Sequence, residues 1–569
     1  MSDLAEITQR LQTATEQLTA AGAPFELETR EVNGIPLRVY KNAPRTLPAA
    51  LAQAREHGDK TCITYQDERY SFNEFFAAAD RLAHYLVNQA GVSKGDRVAI
   101  AMRNYPEWMM SFVAIVSVGA VAVPLNSWGR AEELGYALGD AAARVVICDI
   151  ERHALVAPQL GELQCKAIVV RAGDTDIGEA TSWETTQSAP AECPQVEIAP
   201  DDLALIMYTS GTTGKPKGAA STHFAIGQSL HNFNLHAFSS AMANPEAVGR
   251  MMESGFEPST LLAVPLFHVS GCYAVFLLNL VGGRKTSIMY KWDPEEALKI
   301  IERERITVFT GVPAMTIAML ESAAFEEADT RSLFSVGAGG TACPPHLKDM
   351  IYGKLPHAYP GTGYGMTETN AAGSSCTGEA WRLQPRSSGT LPPIIEMRAV
   401  SPEGEVLPRG EAGELQVRSP TNMREYWNRP DATAETIVED GWLRTGDIGY
   451  VDENGFVFIV DRIKDMVIRA GENIYPIEVE GVLTAHDKVI EAAVYGLPHP
   501  QLGEELAATV YGRDGVTAEE LRSHLKAHLA GFKIPTQWVL ASEPLPRNAT
   551  GKILKRDVRQ AHLANWEYN

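Results

Sequence analysis

Hydrophobic and polar positions follow two alternating patterns over most of the chain. Short apolar runs such as Arg97–Met102 and Arg144–Ile150 are typical of buried strands. Between such runs, Phe72–Gln89 repeats its apolar residues at the spacing of an amphipathic helix. The same alternation returns over residues 261–313. Strands that alternate with helices predict right-handed βαβ units, and here two doubly wound parallel sheets.

The pattern changes twice further along the chain. After about Gly389, short strand-like runs separated by turn residues predict a small β region. Past Asp461, strand-like and helix-like runs mix, which predicts a separate α+β segment at the end of the chain.

Two stretches were candidates for membrane insertion or export. Trp108–Leu125 carries no charged residue, but Gly119 and Pro124 interrupt it, so we expect a buried helix, a turn and a buried strand. The first 18 residues form an amphipathic, partly acidic helix pattern that is unlike a signal peptide. We therefore expect no transmembrane span.

Length and composition narrow the class of protein. A chain of 569 residues is expected to form about two to four domains. Its net charge of −21 argues against nucleic acid or an anionic membrane as the main partner. The seven cysteines include no CxxC pair, which is typical of a reduced, cytoplasmic protein without a metal cluster.

The stretch Tyr208–Gly218, YTSGTTGKPKG, concentrates glycines, hydroxyls and two lysines. Backbone N–H groups of such a loop can converge on phosphate oxygens, and lysine adds positive charge. An apolar run precedes it and we expect a helix after it. A Walker A loop is excluded, because Pro216 follows Gly214-Lys215 where that motif needs Ser or Thr. A phosphate-binding loop and a polar surface loop both fit these residues.

Five further motifs follow the loop in the order of a known family. They are Pro265–Gly271 (PLFHVSG), Tyr364–Glu368 (YGMTE), Trp442–Asp447 (WLRTGD), Val460–Glu480 and Pro546–Asp557. Together with the Gly-rich loop they resemble the motifs of the adenylate-forming superfamily, which includes acyl-CoA synthetases, peptide-synthetase adenylation domains and firefly-type luciferases. The resemblance covers the chain from about residue 45 onward.

The resemblance implies an α/β fold in two domains. A large N-terminal AMP-binding domain, residues 1–463, would contain two parallel-sheet α/β subdomains and a small β barrel, with residues 1–45 as an extension. A mobile α+β C-terminal domain, residues 464–569, would rotate about a hinge at Lys464. A homodimer that uses the extension is one further expectation.

The resemblance also implies an ATP-dependent acid–CoA ligase. A carboxylic acid and ATP would give an acyl-adenylate and pyrophosphate, and CoA would then displace AMP. The expected cofactors are ATP and Mg²⁺, with CoA as co-substrate. We expect a medium- to long-chain fatty acid; an aryl or other acid, a carrier-protein or amine acceptor, a luciferase-like reaction and a non-enzymatic nucleotide-binding protein are the alternatives.

Matching the motifs residue by residue assigns nucleotide-binding roles. The assigned positions are Thr209, Ser210, Gly211, Thr212, Thr213, Gly214, Lys217, Gly339, Gly340, Gly363, Tyr364, Gly365, Met366, Thr367, Asp447, Ile459, Arg462 and Lys552. Among them, Tyr364 would stack on adenine and Thr367 would touch the α-phosphate. Asp447 and Arg462 would bind the ribose.

Four residues are expected to be catalytic, namely Lys552, Glu368, Thr209 and His268. Lys552 would stabilise the charge that develops between the acid and the α-phosphate. Glu368 would hold Mg²⁺, which prefers carboxylate and phosphate oxygens and retains waters.

Two further sets complete the expected site. The acyl pocket would comprise His268, Val269, Gly337, Ala338 and Gly339, and the CoA path Gly471, Glu472 and Asn473. The motif PLFHVSG offers no aspartate for a substrate ammonium, which favours a hydrophobic monocarboxylate, aliphatic over aryl. The long connection Ser239–Ser259 suggests part of a substrate entrance.

Overall fold

The N-terminal extension folds onto the body of the protein. The computed structural model describes residues 3–209, 215–341, 343–344, 346–470, 472–548 and 551–564. Helix α1 (Asp3–Thr19) precedes a hairpin of β1 (Leu27–Val32) and β2 (Ile35–Tyr40). The amphipathic pattern of α1 is confirmed, and the helix buries Ile7 and Ala14.

The next elements form the first α/β layer and one edge of the second. In chain order they are α2 (Leu47–Arg55), β3 (Thr61–Tyr65), β4 (Glu68–Ser71), α3 (Phe72–Asn88), β5 (Arg97–Ala101), α4 (Pro106–Ser117), β6 (Val121–Pro124), α5 (Ala131–Asp140), β7 (Val145–Asp149), α6 (Ile150–Leu163), β8 (Lys166–Val170), β9 (Thr181–Ser182), α7 (Trp183–Thr186) and β10 (Leu203–Thr209).

The middle of the chain begins with one further strand of the first sheet and then forms most of the second α/β layer. Its elements are β11 (Lys217–Thr222), α8 (His223–Ala243), α9 (Pro245–Glu253), β12 (Ser259–Leu262), α10 (Val269–Gly271), α11 (Leu278–Val281), β13 (Lys285–Ile288), α12 (Pro294–Glu304), β14 (Val308–Gly311), α13 (Pro313–Glu321), β15 (Ser335–Gly339), α14 (Leu347–Lys354), β16 (Gly361–Tyr364), β17 (Ser374–Thr377) and α15 (Gly378–Leu383).

The remaining elements form the β region and the C-terminal segment, except for one two-residue strand that joins the first sheet. They are β18 (Gly389–Thr390), β19 (Glu396–Val400), β20 (Gly413–Arg418), β21 (Glu425–Tyr426), α16 (Pro430–Thr436), β22 (Leu443–Val451), β23 (Phe456–Arg462), β24 (Val467–Arg469), β25 (Glu472–Ile474), α17 (Pro476–Leu483), β26 (Val489–His499), β27 (Gly503–Gly512), α18 (Ala518–Lys526), β28 (Gln537–Ala541) and α19 (Lys555–Leu563).

The first sheet has the strand order β21-β11-β10-β6-β5-β7-β8-β9, and the run from β10 to β9 is parallel. Its central strands β5, β6 and β7 are apolar and buried. This is expected because a parallel sheet is covered on both faces, so the side chains on both sides of each strand are buried. Helix α4, a turn and β6 occupy Trp108–Leu125, which confirms the expected buried helix, turn and strand. None of the helices in the described ranges is long and apolar enough to cross a membrane.

The second sheet is larger than the alternation in the sequence suggests. Strands β3, β13, β12, β14, β15 and β16 are parallel, and the antiparallel β17, β18, β23, β22, β20 and β19 continue the same sheet. The small β region is therefore hydrogen-bonded directly to the second α/β layer. The expected α/β architecture with two parallel sheets and a β region is confirmed.

The Gly-rich stretch corrects one expectation. Tyr208 pairs with Gly218 and Thr209 with Lys217 in an antiparallel ladder of β10 and β11. The loop therefore joins two strands of a hairpin and does not lead from a strand into a helix. Helix α8 begins only at His223, because the small and hydroxyl residues after Gly218 extend as a buried strand.

The C-terminal segment is the expected α+β unit. Strands β26 and β27 form a long antiparallel hairpin that β28 extends in parallel, and β24 and β25 complete the sheet. A separate apolar cluster of this segment includes Val467, Leu483 and Leu521. A core of its own suits a unit that moves as a body; the domain boundary at 463/464 stays a prediction.

The long connection before PLFHVSG is helical. Ser239–Ser259 contains the end of α8, all of α9 and the first residue of β12, and α9 buries none of its residues. The substrate-entrance hypothesis for this segment stays a prediction.

Candidate active site

The carboxyl ends of β14, β15 and β16 lie side by side at one edge of the second sheet. Gly311 pairs with Ala338, and Gly339 pairs with Gly363, in parallel register. Ligands of open α/β sheets bind at such edges, outside the carboxyl ends of the strands. The positions assigned to the acyl pocket and the nucleotide on these strands are thus neighbours in space: Gly337, Ala338, Gly339, Gly340, Gly363 and Tyr364.

Two glycines at this edge lie where a side chain would meet close neighbours, a threonine side chain in one case and the backbone in the other. A Cβ atom at Gly337 would lie 2.9 Å from Thr310 Oγ1 on the neighbouring strand. A Cβ atom at Gly365 would lie 2.2 Å from the carbonyl oxygen of Ala371, so the turn that carries Met366 and Thr367 closes only around glycine.

Tyr364, Asp447 and Arg462 form one polar cluster. The Tyr364 hydroxyl donates to Asp447 Oδ2 at 2.7 Å, and Arg462 Nε lies 3.2 Å from Asp447 Oδ1. The two charged residues face each other in the register of β22 and β23. Burial and the Asp447 charge hold the pKa of Tyr364 well above its ordinary value, so its hydroxyl stays a donor. The residues expected to bind adenine and ribose therefore meet, and Ile459 lies on the same strand as Arg462.

We expect Tyr364→Phe to raise KM for ATP by about tenfold, because it removes a hydrogen bond to a charged group that orients Asp447. The aromatic ring remains, so kcat should change little. Steady-state kinetics at varied ATP measure the effect, with Tyr511→Phe on β27 as the control. An unchanged KM in Tyr364→Phe would contradict the role of this hydroxyl.

Glu368 is held by a residue that the sequence motifs did not indicate. Its side chain lies in a 3₁₀ turn after β16 and is 7% exposed. The Tyr426 hydroxyl donates to Glu368 Oε1 at 2.6 Å. Burial and then the Glu368 charge raise the pKa of Tyr426, which keeps it protonated. Tyr426 sits on a two-residue strand outside every motif, so only the β11–β21 pairing reveals it.

The residues around Glu368 fit a magnesium ion. Mg²⁺ is usually held by one or two carboxylates together with substrate phosphates. The described residues contain no group of three or more His, Cys, Asp or Glu that could hold a metal by themselves. Tyr426 fixes one oxygen of the Glu368 carboxylate, and a single oriented carboxylate matches a site that substrate phosphates complete.

Tyr426 also connects Glu368 to the Gly-rich hairpin. Lys217 Nζ lies 4.4 Å from the centroid of the Tyr426 ring. Thr209 Oγ1 donates to the Lys217 carbonyl oxygen at 3.3 Å, which ties the two ends of the hairpin together. The tip of the hairpin, comprising Ser210, Gly211, Thr212, Thr213 and Gly214, lies outside the described residues.

Lys552 lies close to the Asp447–Arg462 pair, although it follows Arg462 by 90 positions and Asp447 by 105 positions in the sequence. Burial, and then the Arg462 charge, lower the pKa of Lys552 to about 8, against the opposing effect of Asp465 and Asp447. A Cβ atom at neighbouring Gly551 would lie 3.1 Å from Val312 Cγ2, so the lysine loop reaches the end of β14. In this arrangement the C-terminal segment presents Lys552 to the carboxyl edge of the second sheet.

The lowered pKa gives an expected pH dependence for the first half-reaction. The ammonium form of Lys552 predominates below about pH 8, so acid-dependent ATP–pyrophosphate exchange should fall by about tenfold per pH unit above that value. Lys552→Arg retains its charge at these pH values, so the decline should move upward or disappear in that variant. The two pH profiles, each normalised to its own maximum, test this; coincident declines would contradict the assignment.

His268 directly precedes α10, which the last three residues of PLFHVSG form. Burial lowers its pKa to about 4, so the imidazole is neutral at pH 7. Its ring centroid lies 4.4 Å from that of Phe267, and Val269 starts α10. The helix continues through a π-helical segment, Cys272–Leu277, into α11. π-Helical turns are frequent at functional sites.

The residues predicted for the hinge and for the CoA path lie beyond β23. Lys464 is exposed in the turn between β23 and β24, which the Asp465 N–H closes on the Arg462 carbonyl oxygen at 3.0 Å. Glu472 and Asn473 are exposed on β25, paired with β24. Gly471 lies outside the described residues.

The chain matches two family models, an AMP-binding enzyme over residues 51–427 and an AMP-binding enzyme C-terminal domain over residues 478–552. The chain belongs to the AMP-binding enzyme family. Its relatives include a feruloyl-CoA synthase of an Amycolatopsis species, 36% identical over 90% of this chain and 97% of that one. A long-chain-fatty-acid–CoA ligase of Mycobacterium tuberculosis is 34% identical over 88% and 94%, respectively.

A solved structure extends the likeness to the fold. An o-succinylbenzoate CoA synthetase of Bacillus subtilis, in complex with its acyl-adenylate intermediate, has a TM-score of 0.73 and 30% identity, covering 90% of this chain and 97% of that one. Membership of this AMP-binding family makes the protein an AMP-forming acid–thiol ligase that uses ATP and CoA. The resemblance derived from the motifs is confirmed.

Proposed function

We propose that this ligase activates a medium- to long-chain fatty acid. In the first step, a carboxylate oxygen of the acid attacks the α-phosphorus of ATP, the bond to the bridging oxygen breaks, and pyrophosphate leaves. In the second, the thiol sulfur of CoA gives up its proton and attacks the acyl carbon, the bond to AMP breaks, and AMP leaves. Both steps require control of charge rather than covalent chemistry by the protein.

The observation that favours an acid with an uncharged tail is the absence of charged side chains along the expected acyl pocket. Neither Pro265–Gly271 nor Ser335–Thr341 contains Asp, Glu, Lys or Arg. His268, the one titratable ring in these stretches, is neutral at pH 7 because burial lowers its pKa to about 4. Such a lining offers no partner for an ammonium group or a second carboxylate, so an uncharged tail is favoured.

The proposed roles in the nucleotide site follow from the cluster described above. Asp447, held by Tyr364 and Arg462, would accept hydrogen bonds from ribose hydroxyls. Glu368, oriented by Tyr426, would hold Mg²⁺, which when bound neutralises the triphosphate charge. Lys552 would stabilise the charge that develops between the acid and the α-phosphate.

An aryl acid is the second candidate, and its support is the 36% identity to a feruloyl-CoA synthase. Rigid aryl acids and flexible aliphatic acids differ in the pocket shape that they need. Both have uncharged tails, so the lining described above fits either class.

Pyrophosphate release measured across a panel of acids tests the proposal. The panel contains medium- and long-chain fatty acids, aryl acids and a dicarboxylic acid, each with ATP and Mg²⁺ and each with and without CoA. We expect the fatty acids to give the highest kcat/KM and CoA to accelerate turnover. Preference for aryl acids would favour the second candidate. Pyrophosphate release at the same rate with and without CoA would indicate that the acceptor is a carrier protein or an amine instead of CoA.

A further inference from the structure

Asp461 is a buried carboxylate placed where the two domains meet. It lies near the end of β23, three residues before the proposed hinge at Lys464, and it has no exposed surface. Its Oδ1 accepts from the Arg462 N–H at 2.7 Å, and its Oδ2 accepts from the Ile477 N–H at 3.0 Å. Ile477 belongs to the first turn of α17, beyond the hinge. One carboxylate thus bonds both sides of the hinge.

The charge of Asp461 also acts on the segment that carries Lys552. Lys555 begins α19, and its Nζ lies 2.8 Å from Glu480 Oε1 on α17. Burial opposes the charge of Lys555, yet Glu480 and then Asp461 raise the pKa of this ammonium above its ordinary value. Asp461 therefore acts electrostatically on a lysine three residues after Lys552.

Hydrogen bonds tie Lys552 and Leu554 to residues that precede them in the chain. The Asn548 N–H donates to the Lys552 carbonyl oxygen, and the Lys552 N–H donates to Asn548 Oδ1, both at 2.9 Å. The Leu554 N–H then donates to the Pro546 carbonyl oxygen at 2.8 Å, directly before α19 begins. A shift of Lys555 is expected to displace Lys552 with it.

We propose that Asp461 is a positioning residue for the adenylation half-reaction, which locks α17 and Lys555 in the arrangement that presents Lys552 to the substrates. The inference rests on the proposed two-step function. Rotation about Lys464 has to break the Asp461–Ile477 hydrogen bond, since its two partners lie on opposite sides of the hinge. A weaker Asp461–Ile477 hydrogen bond should therefore change the ratio of the adenylation rate to the rate of thioester formation, instead of lowering both rates equally.

Asp461→Asn tests the proposal, because an amide keeps the shape but cannot accept hydrogen bonds at both positions. Adenylation is measured as acid-dependent ATP–pyrophosphate exchange, and thioester formation is measured from supplied acyl-adenylate and CoA. We expect the first rate to fall by about tenfold and the second to stay within about twofold. Lys555→Gln should shift the ratio in the same direction. Equal losses in both rates would overturn the proposal, since a merely structural role lowers both.

The matched control is Arg513→Ala. Arg513 pairs with Glu321 across the same two domains at 3.7 Å, but both side chains are more than half exposed. An exposed pair contributes little, so the ratio of the two rates should not change. A ratio change in this variant as large as that of Asp461→Asn would also overturn the proposal.

Trypsin cleavage at the exposed Lys464 turn provides a readout that needs no turnover. In the presence of ATP, Asp461→Asn should be cut there about fivefold faster than the wild-type protein, since cleavage follows the population of molecules in which the contact between residue 461 and Ile477 is broken. Equal cleavage rates would overturn the proposal. If the wild-type protein formed adenylate but no thioester, CoA would not be the acceptor and the proposed function would be wrong on that point. The ATP–pyrophosphate exchange rate and the trypsin cleavage rate would still test the role of Asp461.

Discussion

Replacing Lys552 with alanine should slow acid-dependent ATP–pyrophosphate exchange by about two to three orders of magnitude. The same change should leave thioester formation from a supplied acyl-adenylate within about threefold of the wild-type rate. Lys552 lies in a partly buried position beside Asp447 and Arg462, where loss of one oriented charge is not compensated by water. In the proposed mechanism the first half-reaction would develop negative charge next to Lys552, whereas the second would release AMP.

Separate assays of the two half-reactions check this result. Lys526→Ala is a suitable control, since Lys526 is an exposed lysine at the end of α18 in the same domain. It should leave both rates unchanged. If Lys552→Ala reduced both half-reactions equally, the lysine would serve the stability or docking of the C-terminal domain and not adenylation.

The sequence predicted best the helices and strands whose pattern of buried residues can be read from the segment itself. The apolar strands β5 and β7 and the amphipathic α3 lie within one or two residues of their predicted bounds. A parallel strand buried on both faces has to be apolar throughout, and a surface helix has to repeat every three to four residues. Each of these two patterns is visible within a single segment of the sequence.

The sequence failed where structure depends on pairing between distant segments. Lys217–Thr222 lacks the large β-branched residues of a typical strand, and only its pairing with β10 and β21 makes it one. The β3–β4 hairpin precedes the first sheet in the chain but lies at the edge of the second, next to β13. Neither pairing leaves a local pattern.

The candidate site shows the same division. Tyr364, Glu368, Asp447, Arg462 and Lys552 stand in motifs, and those motifs were sufficient to name them. Tyr426 and Asp461 act through residues named in this way, by holding a carboxylate or a helix. Their effect depends on geometry between distant elements, which one sequence does not encode in any short pattern.

Replacing Glu368 with glutamine should lower kcat/KM for ATP by about two to three orders of magnitude at a fixed, moderate Mg²⁺ concentration. The amide keeps the size of the side chain and an acceptor for the Tyr426 hydroxyl, so the fold should be maintained. What it loses is the negative charge that the proposed Mg²⁺ site needs. Raising the Mg²⁺ concentration should therefore recover part of the activity, because weaker binding is offset by mass action.

Tyr426→Phe separates the charge of Glu368 from its orientation. This variant keeps the carboxylate but removes the hydroxyl that holds Oε1 at 2.6 Å, so we expect a loss of only about tenfold and the same dependence on Mg²⁺. Kinetics of both variants across Mg²⁺ concentrations provide the measurement. If Mg²⁺ rescued neither variant, Glu368 would act on the substrates directly or only support the turn after β16. Rescue of both, with the larger shift in Glu368→Gln, would assign the metal to this carboxylate and its orientation to Tyr426.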